Sequence, residues 1–355
     1  MITLDKAALL AAIKKVLPGV EKGKTTIEGA DQLLFTGTHV YSHNGIVSVA
    51  APCDTQGNEF AVKGMNFYNL VARLDDLILT AEVKGNKLKL SAGRTKVNMP
   101  LLDTAGIKAY VSALDVEHME FEALPEGFSD AVKICTMGNN LTPLKGVAVG
   151  PHGDMSAVFS TDKDRISIQD LPSAMPTIWM DDAMFADAFK VGDPVEFCSK
   201  GPWLHLKYED GTVFSAQKKD CAGYPFSTCS GIVDSISTGT VQMEGRLPKD
   251  LNDAVSRVAV LASGTDSKGL SLVEMAFHKD CLELHAEGVD GDATETVPWD
   301  SPLGDEPGIS IYVTVPFLVE AARKTMDFSL VSLGKNPAMV FRSGDYIQMV
   351  STTTK

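Results

Sequence analysis

Apolar residues with the spacing of one buried helical face occur at three places in this chain, about 120 residues apart, as expected for an internal repeat. The three sets are Leu9, Ala12, Ile13 and Val16; Phe128, Ala131, Val132 and Cys135; and Leu251, Ala254, Val255 and Val258. Each set follows the i, i+3, i+4, i+7 pattern of an amphipathic helix. The pattern therefore predicts three related modules in tandem.

Each third also contains a second predicted helix and runs of alternating residues. The second helices are marked by Phe67, Leu70, Val71 and Leu74; by Phe185, Ala188 and Phe189; and by Leu318, Ala321 and Ala322. Hairpins with Gly, Asn or Pro at their turns are predicted at 77–93, 195–211 and 328–345, and further strand-like runs follow each first helix. Helices segregated from antiparallel strands indicate an α+β fold, with domains at 1–117, 118–241 and 242–355.

One such module can bury one face of its sheet beneath two helices, but the edges of the sheet stay unpaired. Unpaired edges are a liability because they offer free backbone donors and acceptors to other chains. Three tandem modules, closed by a second chain, would pair these edges around a ring. The repeat therefore predicts a closed oligomer.

Composition and charge limit the classes of protein that need to be considered. The chain has 355 residues, of which 44% are apolar and 22% charged, as in ordinary soluble domains. No apolar run approaches the ~20 residues of a membrane span, and the N-terminus is typical of a helix, so we expect a cytoplasmic protein. Six cysteines without a C-x-x-C pair favour reduced thiols. A net charge of −14 opposes nonspecific adhesion to nucleic acid, but it allows positive charge on one local surface.

Enzymatic alternatives find little support in the motifs. Residues 19–25 imitate a phosphate-binding loop, but they have one residue too few between the glycines and follow a helix instead of a strand. His39 and His43 flank a strand and turn, where a spacing of four does not place both on one face. Residues 290–295 supply only a fragment of a calcium loop, and no G-x-S-x-G elbow is present. A catalytic Ser/His/Asp triad stays an alternative, because residue types alone do not exclude it.

Longer segments in all three thirds resemble one known family. Residues 88–103 (LKLSAGRTKVNMPLLD), 144–150 (LKGVAVG), 159–168 (FSTDKDRISI), 251–263 and 286–297 are similar to segments of the three-domain bacterial DNA sliding clamp, the β subunit of DNA polymerase III. The resemblance implies a noncatalytic homodimeric ring that encircles duplex DNA without sequence preference. It also implies partners, namely the replicative polymerase and the clamp loader, and no cofactor or metal.

The sequence departs from the family pattern in two places. Lys163 and Asp164 replace the usual Gly and the aromatic residue or His of the Thr-Asp-x-x-Arg motif, and the C-terminus YIQMVSTTTK lacks the usual Met-Pro-Met-Arg ending. These departures favour a divergent member, such as one from a bacteriophage. The alternative function is a noncatalytic structural or assembly protein of a phage particle.

A clamp holds DNA by enclosure, so its inner surface needs only mild positive charge, because strong phosphate pairing would impede sliding. The resemblance implies DNA contact by bases on the predicted helices and in the loop after the first one. These are Lys14, Lys15, Lys22, Lys24, Arg73, Lys133, Arg257, Arg323 and Lys324. The alternative for each is an ordinary solvated surface side chain.

The resemblance also implies a groove that binds a short peptide of the polymerase or loader. The matching residues are Leu144, Thr161, Arg165, Ile166, Pro225, Ile347, Met349 and Val350. Aliphatic and Met side chains suit extended peptides because they offer adaptable apolar contact. The alternatives are core strand positions for Leu144, Ile166 and Ile347, and a structural salt bridge for Arg165.

Overall fold

The computed structural model of the chain describes residues 2–24, 26–140, 142–262, 269–299, 308–334 and 336–353. Thr25, which ends the loop that imitates a phosphate-binding motif, and Ser263, which ends one of the family-like segments, lie outside these residues. Among the helices in the described parts, none is long and apolar enough to cross a membrane.

Among the residues that the structure describes, six helices correspond to the two predicted in each third, and two more are present. The helices are α1 (Lys6–Val16), α2 (Gly64–Arg73), α3 (Ala105–Leu114), α4 (Phe128–Cys135), α5 (Asp182–Val191), α6 (Phe226–Thr238), α7 (Leu251–Val258) and α8 (Val315–Lys324).

The strands follow the helices in groups, as the alternating runs predict. They are β1 (Ile2–Asp5), β2 (Gln32–Thr36), β3 (His39–His43), β4 (Val47–Pro52), β5 (Glu59–Lys63), β6 (Ile78–Lys84), β7 (Lys87–Ala92), β8 (Thr95–Pro100), β9 (Glu122–Ala123), β10 (Val147–His152), β11 (Met155–Thr161), β12 (Arg165–Asp170), β13 (Ile178–Met180), β14 (Glu196–Lys200), β15 (Trp203–Lys207), β16 (Val213–Gln217), β17 (Thr240–Arg246), β18 (Leu272–Phe277), β19 (Cys281–Gly288), β20 (Gly291–Pro298), β21 (Ile309–Thr314), β22 (Asp327–Ser332), β23 (Pro337–Ser343) and β24 (Tyr346–Ser351).

These strands form two four-stranded and two eight-stranded sheets. The small sheets have the orders β1-β6-β7-β8 and β20-β19-β18-β21, and the large ones β5-β2-β3-β4-β16-β15-β14-β9 and β13-β10-β11-β12-β24-β23-β22-β17. Antiparallel hairpins such as β6–β7 and β22–β23 build each sheet. The predicted α+β class, with repeated helix-and-sheet modules, is confirmed.

The chain divides into two compact units, each with one small and one large sheet. Unit 1 comprises Met1–Pro125 and Met180–Lys219, and unit 2 comprises Glu126–Trp179 and Asp220–Lys355. The predicted middle third thus supplies β14–β16 to unit 1 and β10–β12 to unit 2. Pairing of β4 with β16 and of β12 with β24 joins successive thirds within each large sheet. The division into three domains stays a prediction.

The three helical stripes that mark the repeat are buried, as predicted. All twelve of their side chains, on α1, α4 and α7, belong to the core. Asp5 is the N-cap of the first of these helices, and its carboxylate accepts a 2.7 Å hydrogen bond from the backbone N–H of Ala8. Such a cap satisfies one of the free donors of the first turn.

The sequence pattern does not predict α3 and α6, which end shortly before the expected domain boundaries after residues 117 and 241. Ile107 of α3 packs in a cluster with Leu34 and Tyr41, on one face of β2 and β3. The buried residues of α6 are Cys229, Val233 and Ile236, and they join a cluster on β10–β12. Each of the two helices therefore covers a face of a large sheet, and its polar residues face solvent.

Candidate nucleic-acid interface and partner groove

Seven of the nine predicted DNA-contacting residues lie in helices, mostly in the last turn. Lys14 and Lys15 end α1, Arg73 ends α2, and Arg323 and Lys324 end α8. Positive charge at a helix C-terminus is also favourable for the helix dipole. The location alone therefore does not distinguish a DNA contact from a structural role, and the pairing of each charge has to be considered.

Five of the nine cations are exposed and have no carboxylate within ion-pair distance in the described part of the chain. They are Lys14, Lys22, Lys24, Arg73 and Arg323. No carboxylate of the described residues neutralises the charge of these side chains by direct pairing. An approaching phosphate would therefore not have to displace an acidic side chain of the protein.

The other four cations already have acidic neighbours. Lys15 pairs with Asp210, Lys133 with Asp130 at 3.8 Å, Arg257 with Glu295, and Lys324 with Glu320 at 3.2 Å. The hydrogen bond from Arg257 lowers the pKa of the Glu295 carboxyl. Burial lowers the pKa of Lys324, whose ammonium also donates to the carbonyl oxygen of Thr136 at 3.0 Å. Lys324 is thus built into the fold of unit 2.

The predicted groove residues in unit 2 differ widely in exposure. Leu144, Pro225 and Ile347 are half-buried; Thr161, Ile166 and Met349 are almost completely buried; Arg165 and Val350 have no exposed surface. Antiparallel pairing of β12 with β24 places Ile166 opposite Met349 and Arg165 opposite Val350. Ile347 packs against the same apolar cluster as Ile166 and Met349. The sheet therefore brings the centre of the predicted groove together, but leaves only part of it open to a ligand.

Arg165 is the centre of a buried ionic network in unit 2. Its guanidinium donates to Asp162 Oδ2 at 2.7 and 2.9 Å, to Glu320 Oε2 at 3.0 Å and to the carbonyl oxygen of Gly138 at 2.7 Å. The same group lies 3.9 Å from the centre of the Phe317 ring. The structural salt bridge considered from the sequence is therefore present, and Arg165 offers no surface to a peptide.

The partners of Arg165 were not identified from the sequence. Asp162 could have been identified from the sequence, because it lies in the same Thr-Asp-x-x-Arg motif as Arg165. The two residues are three apart at the turn between β11 and β12, so their side chains can meet. Glu320 lies 155 residues away on α8, and no local pattern connects it to Arg165.

We expect Arg165→Met to lower the free energy of unfolding by about 3–5 kcal/mol, because it leaves the buried Asp162 carboxylate unpaired. The matched control is Arg246→Met, which removes an exposed pair with Asp327 and should change stability by less than about 1 kcal/mol. Urea unfolding at neutral pH measures both. Equal losses in the two variants would contradict the structural role of the network.

No protein-family model matches the sequence, and no curated protein matches it. Solved structures, however, match the chain from end to end. The β subunit of DNA polymerase from Streptococcus pyogenes has a TM-score of 0.82 at 14% identity, and the DNA polymerase III β chain from Streptococcus pneumoniae 0.81 at 14%, each covering 100% of both chains. The DNA polymerase sliding clamp from Bacillus subtilis has 0.79 at 16%, covering 100% of this chain and 99% of that one.

At such identities the likeness lies in the arrangement of helices and strands and not in particular side chains. It extends over the small sheets, the large sheets and the helices of both units. The chain therefore has, over its whole length, the fold of the bacterial DNA sliding clamp, the β subunit of DNA polymerase III.

Proposed function

We propose that this chain is a DNA sliding clamp: two copies close into a ring, encircle duplex DNA without sequence preference, and tether the replicative polymerase. The observation that carries the proposal is the end-to-end match, in both directions, to structures of such clamps. The clamp loader would be a further partner. The protein would act without catalysis in the cytoplasm of a bacterial or phage-infected cell, at the nucleoid.

Unpaired sheet edges support ring closure. Strand β8 is at the edge of the small sheet of unit 1, and β20 is at the edge of the small sheet of unit 2. In the described part of the chain, the outer side of each strand has no partner strand. Exposed edges of six and eight residues favour association through backbone hydrogen bonds. Pairing of β8 in one copy with β20 in the other would give hydrogen-bond partners to the free backbone groups of both strands.

The net charges of these two sheets are of opposite sign, although Lys89 lies 3.9 Å from Glu82 and Glu295 pairs with Arg257. The basic residues on or beside β6–β8 are Lys84, Lys87, Lys89, Arg94 and Lys96. The acidic residues on or beside β19 and β20 are Glu283, Glu287, Asp290, Asp292 and Glu295. Opposite potentials favour the head-to-tail contact of β8 with β20 and disfavour β8 with β8. A heterologous contact of this kind forms a ring when the rotation closes.

Mass measurement and particle imaging test the ring. We expect a homodimer of the 38.0 kDa chain whose images have a central hole. We further expect Lys96→Glu to weaken the dimer at least tenfold, about 1.4 kcal/mol or more, because it puts like charges across the seam. Adding Asp292→Lys in the same chain should restore much of the affinity.

A stable monomer of the natural chain would overturn the proposal, and a large closed shell would favour a phage-particle protein instead. Unchanged dimer affinity in Lys96→Glu would overturn the assignment of the seam alone.

DNA contact is proposed for the exposed cations without acidic partners. We expect Lys14→Glu combined with Arg73→Glu and Arg323→Glu to shorten the products of primer extension on long circular templates, with stability retained. The reason is that each lost phosphate contact removes a favourable salt-dependent term, with a slope of about 0.9 in log affinity against log salt. Lys279→Glu, an exposed lysine on the turn between β18 and β19, is the control. Normal product lengths in the triple variant would contradict the assignment.

The peptide groove is proposed at the half-buried apolar surface of unit 2. We expect Ile347→Ala combined with Met349→Ala to weaken binding of polymerase-derived peptides several-fold in fluorescence polarisation, because both lie in β24 beside the apolar cluster. The dimer should remain intact. Met155→Ala, an exposed Met in β11, is the matched control. Unchanged peptide affinity in the double variant would contradict the groove.

A further inference from the structure

Unit 1 contains a cavity of about 440 Å³ that none of the assignments above uses. It opens between the β3–β4 hairpin, α3 and strands β15 and β16. Its lining includes His43, Tyr110, Leu114, Lys200, Trp203 and His205. Sites for organic groups have volumes of roughly 300–1,000 Å³ and combine apolar walls with a few polar groups, so the cavity is large enough to hold a ligand.

His43 is the polar group that this cavity leaves unsatisfied. Its side chain is 3% exposed, and neither ring nitrogen has a hydrogen-bond partner among the described residues. The ring stacks on Tyr110 with 4.5 Å between centroids and lies 6.2 Å from Trp203. Burial lowers the pKa of His43, so the imidazole is neutral at neutral pH and offers one donor and one acceptor. A buried polar group without a partner is unfavourable, and a ligand that bonds to it would relieve the penalty.

The charge at the cavity is positive. Lys200 is exposed on the lining and forms no ion pair with any residue in the described ranges. Burial, with the charges of Lys200 and Lys218, lowers the pKa of His205 to about 4, so His205 is neutral, and its Nδ1 lies 2.7 Å from Ser215 Oγ. The positive charge therefore comes from lysine side chains, and it favours an occupant with a carboxylate.

The internal repeat relates this cavity to the predicted groove of unit 2. The β3–β4 hairpin ends with His43 opposite Ser48, and the β11–β12 hairpin ends in the same way with Thr161 opposite Ile166. On the next strand, Ser48 lies opposite Ser215, and Ile166 lies opposite Met349. His43, in the lining of the cavity, thus corresponds to Thr161 of the predicted groove.

The side chains at these equivalent positions differ in size and polarity between the two units. Large Ile166 and Met349 are core residues in unit 2. Small Ser48 and Ser215 stand in their place in unit 1, on the face of the sheet that α3 covers. The exchange puts small hydroxyl side chains opposite His43 and His205, which do line the cavity.

We propose that this cavity is a second docking site for a partner protein, which inserts an aromatic side chain of a short acidic peptide beside Tyr110 and Trp203, hydrogen-bonds to His43, and pairs a carboxylate with Lys200. The proposal rests on the proposed clamp function only in that clamp-binding proteins would carry the peptide. The cavity would be a second binding site, independent of the groove in unit 2.

The test is selection of a random peptide library on the natural full-length chain, followed by affinity measurement on variants. We expect enriched peptides with an aromatic residue next to Asp or Glu. Their affinity should fall at least tenfold in His43→Leu and in Lys200→Glu. It should be unchanged in Lys279→Glu and in the Ile347→Ala, Met349→Ala double variant.

His43→Leu also separates docking from folding. Replacing a buried, unpaired imidazole by an apolar side chain should leave the melting temperature the same or raise it, while peptide binding is lost. A variant that binds less because it unfolds would instead melt at a lower temperature. In that case the affinity of Lys200→Glu, a change at an exposed position, decides whether peptides bind in the cavity.

Peptides that lose affinity only in the unit 2 double variant would overturn the proposal. So would a cavity that binds indole-3-acetate, as a small aromatic acid, but no selected peptide. The result is independent of ring formation, since a monomer with the expected peptide binding would overturn the clamp and support the docking site, whereas a ring without that binding would do the reverse.

Discussion

Backbone pairing at the edges of the sheets is the constraint on which the rest of this structure depends. Each large sheet is completed only where strands from two different thirds of the chain meet, β4 with β16 and β12 with β24. Because unpaired strand edges associate with whatever strand is available, these junctions remove two potential sites of aggregation from each unit. Among the edge strands that the described residues leave, β8 and β20 lie in sheets of opposite net charge, which would suit pairing with a second copy.

The fold could be predicted where one residue pattern determined one element. The stripes of α1, α4 and α7 have apolar residues at every expected position, and all are buried. In α3, Ile107 and Leu114 have the same spacing, but Tyr110 between them is 40% exposed and the neighbouring residues are small or polar. A narrow apolar face in a Ser- and Ala-rich segment resembles a linker, so the residue pattern does not predict α3 or α6. Their helical state depends on the sheet face that each covers.

The candidate site was less predictable, because it depends on pairs that are distant in sequence. Lys15 and Asp210 are 195 residues apart, and Arg165 and Glu320 are 155 apart. Residue type supplies the candidate cations, but only the three-dimensional arrangement separates those paired with carboxylates from those without an ion pair in the described residues. His43 also could not be identified as a candidate binding residue from the sequence, where it is one residue of a predicted strand. Its position beside Tyr110 and Trp203 is visible only in the structure.

The division of the middle third between two sheets also limits how such a chain can change over generations. Deleting one internal copy from a solenoid shortens the array but leaves its neighbours able to stack. Here, loss of the middle copy would remove β14–β16 from one sheet and β10–β12 from the other, and both halves of the molecule would be left incomplete. Loss of the middle copy would therefore expose the edges of both β4 and β24, and each unit would have to find a new partner strand.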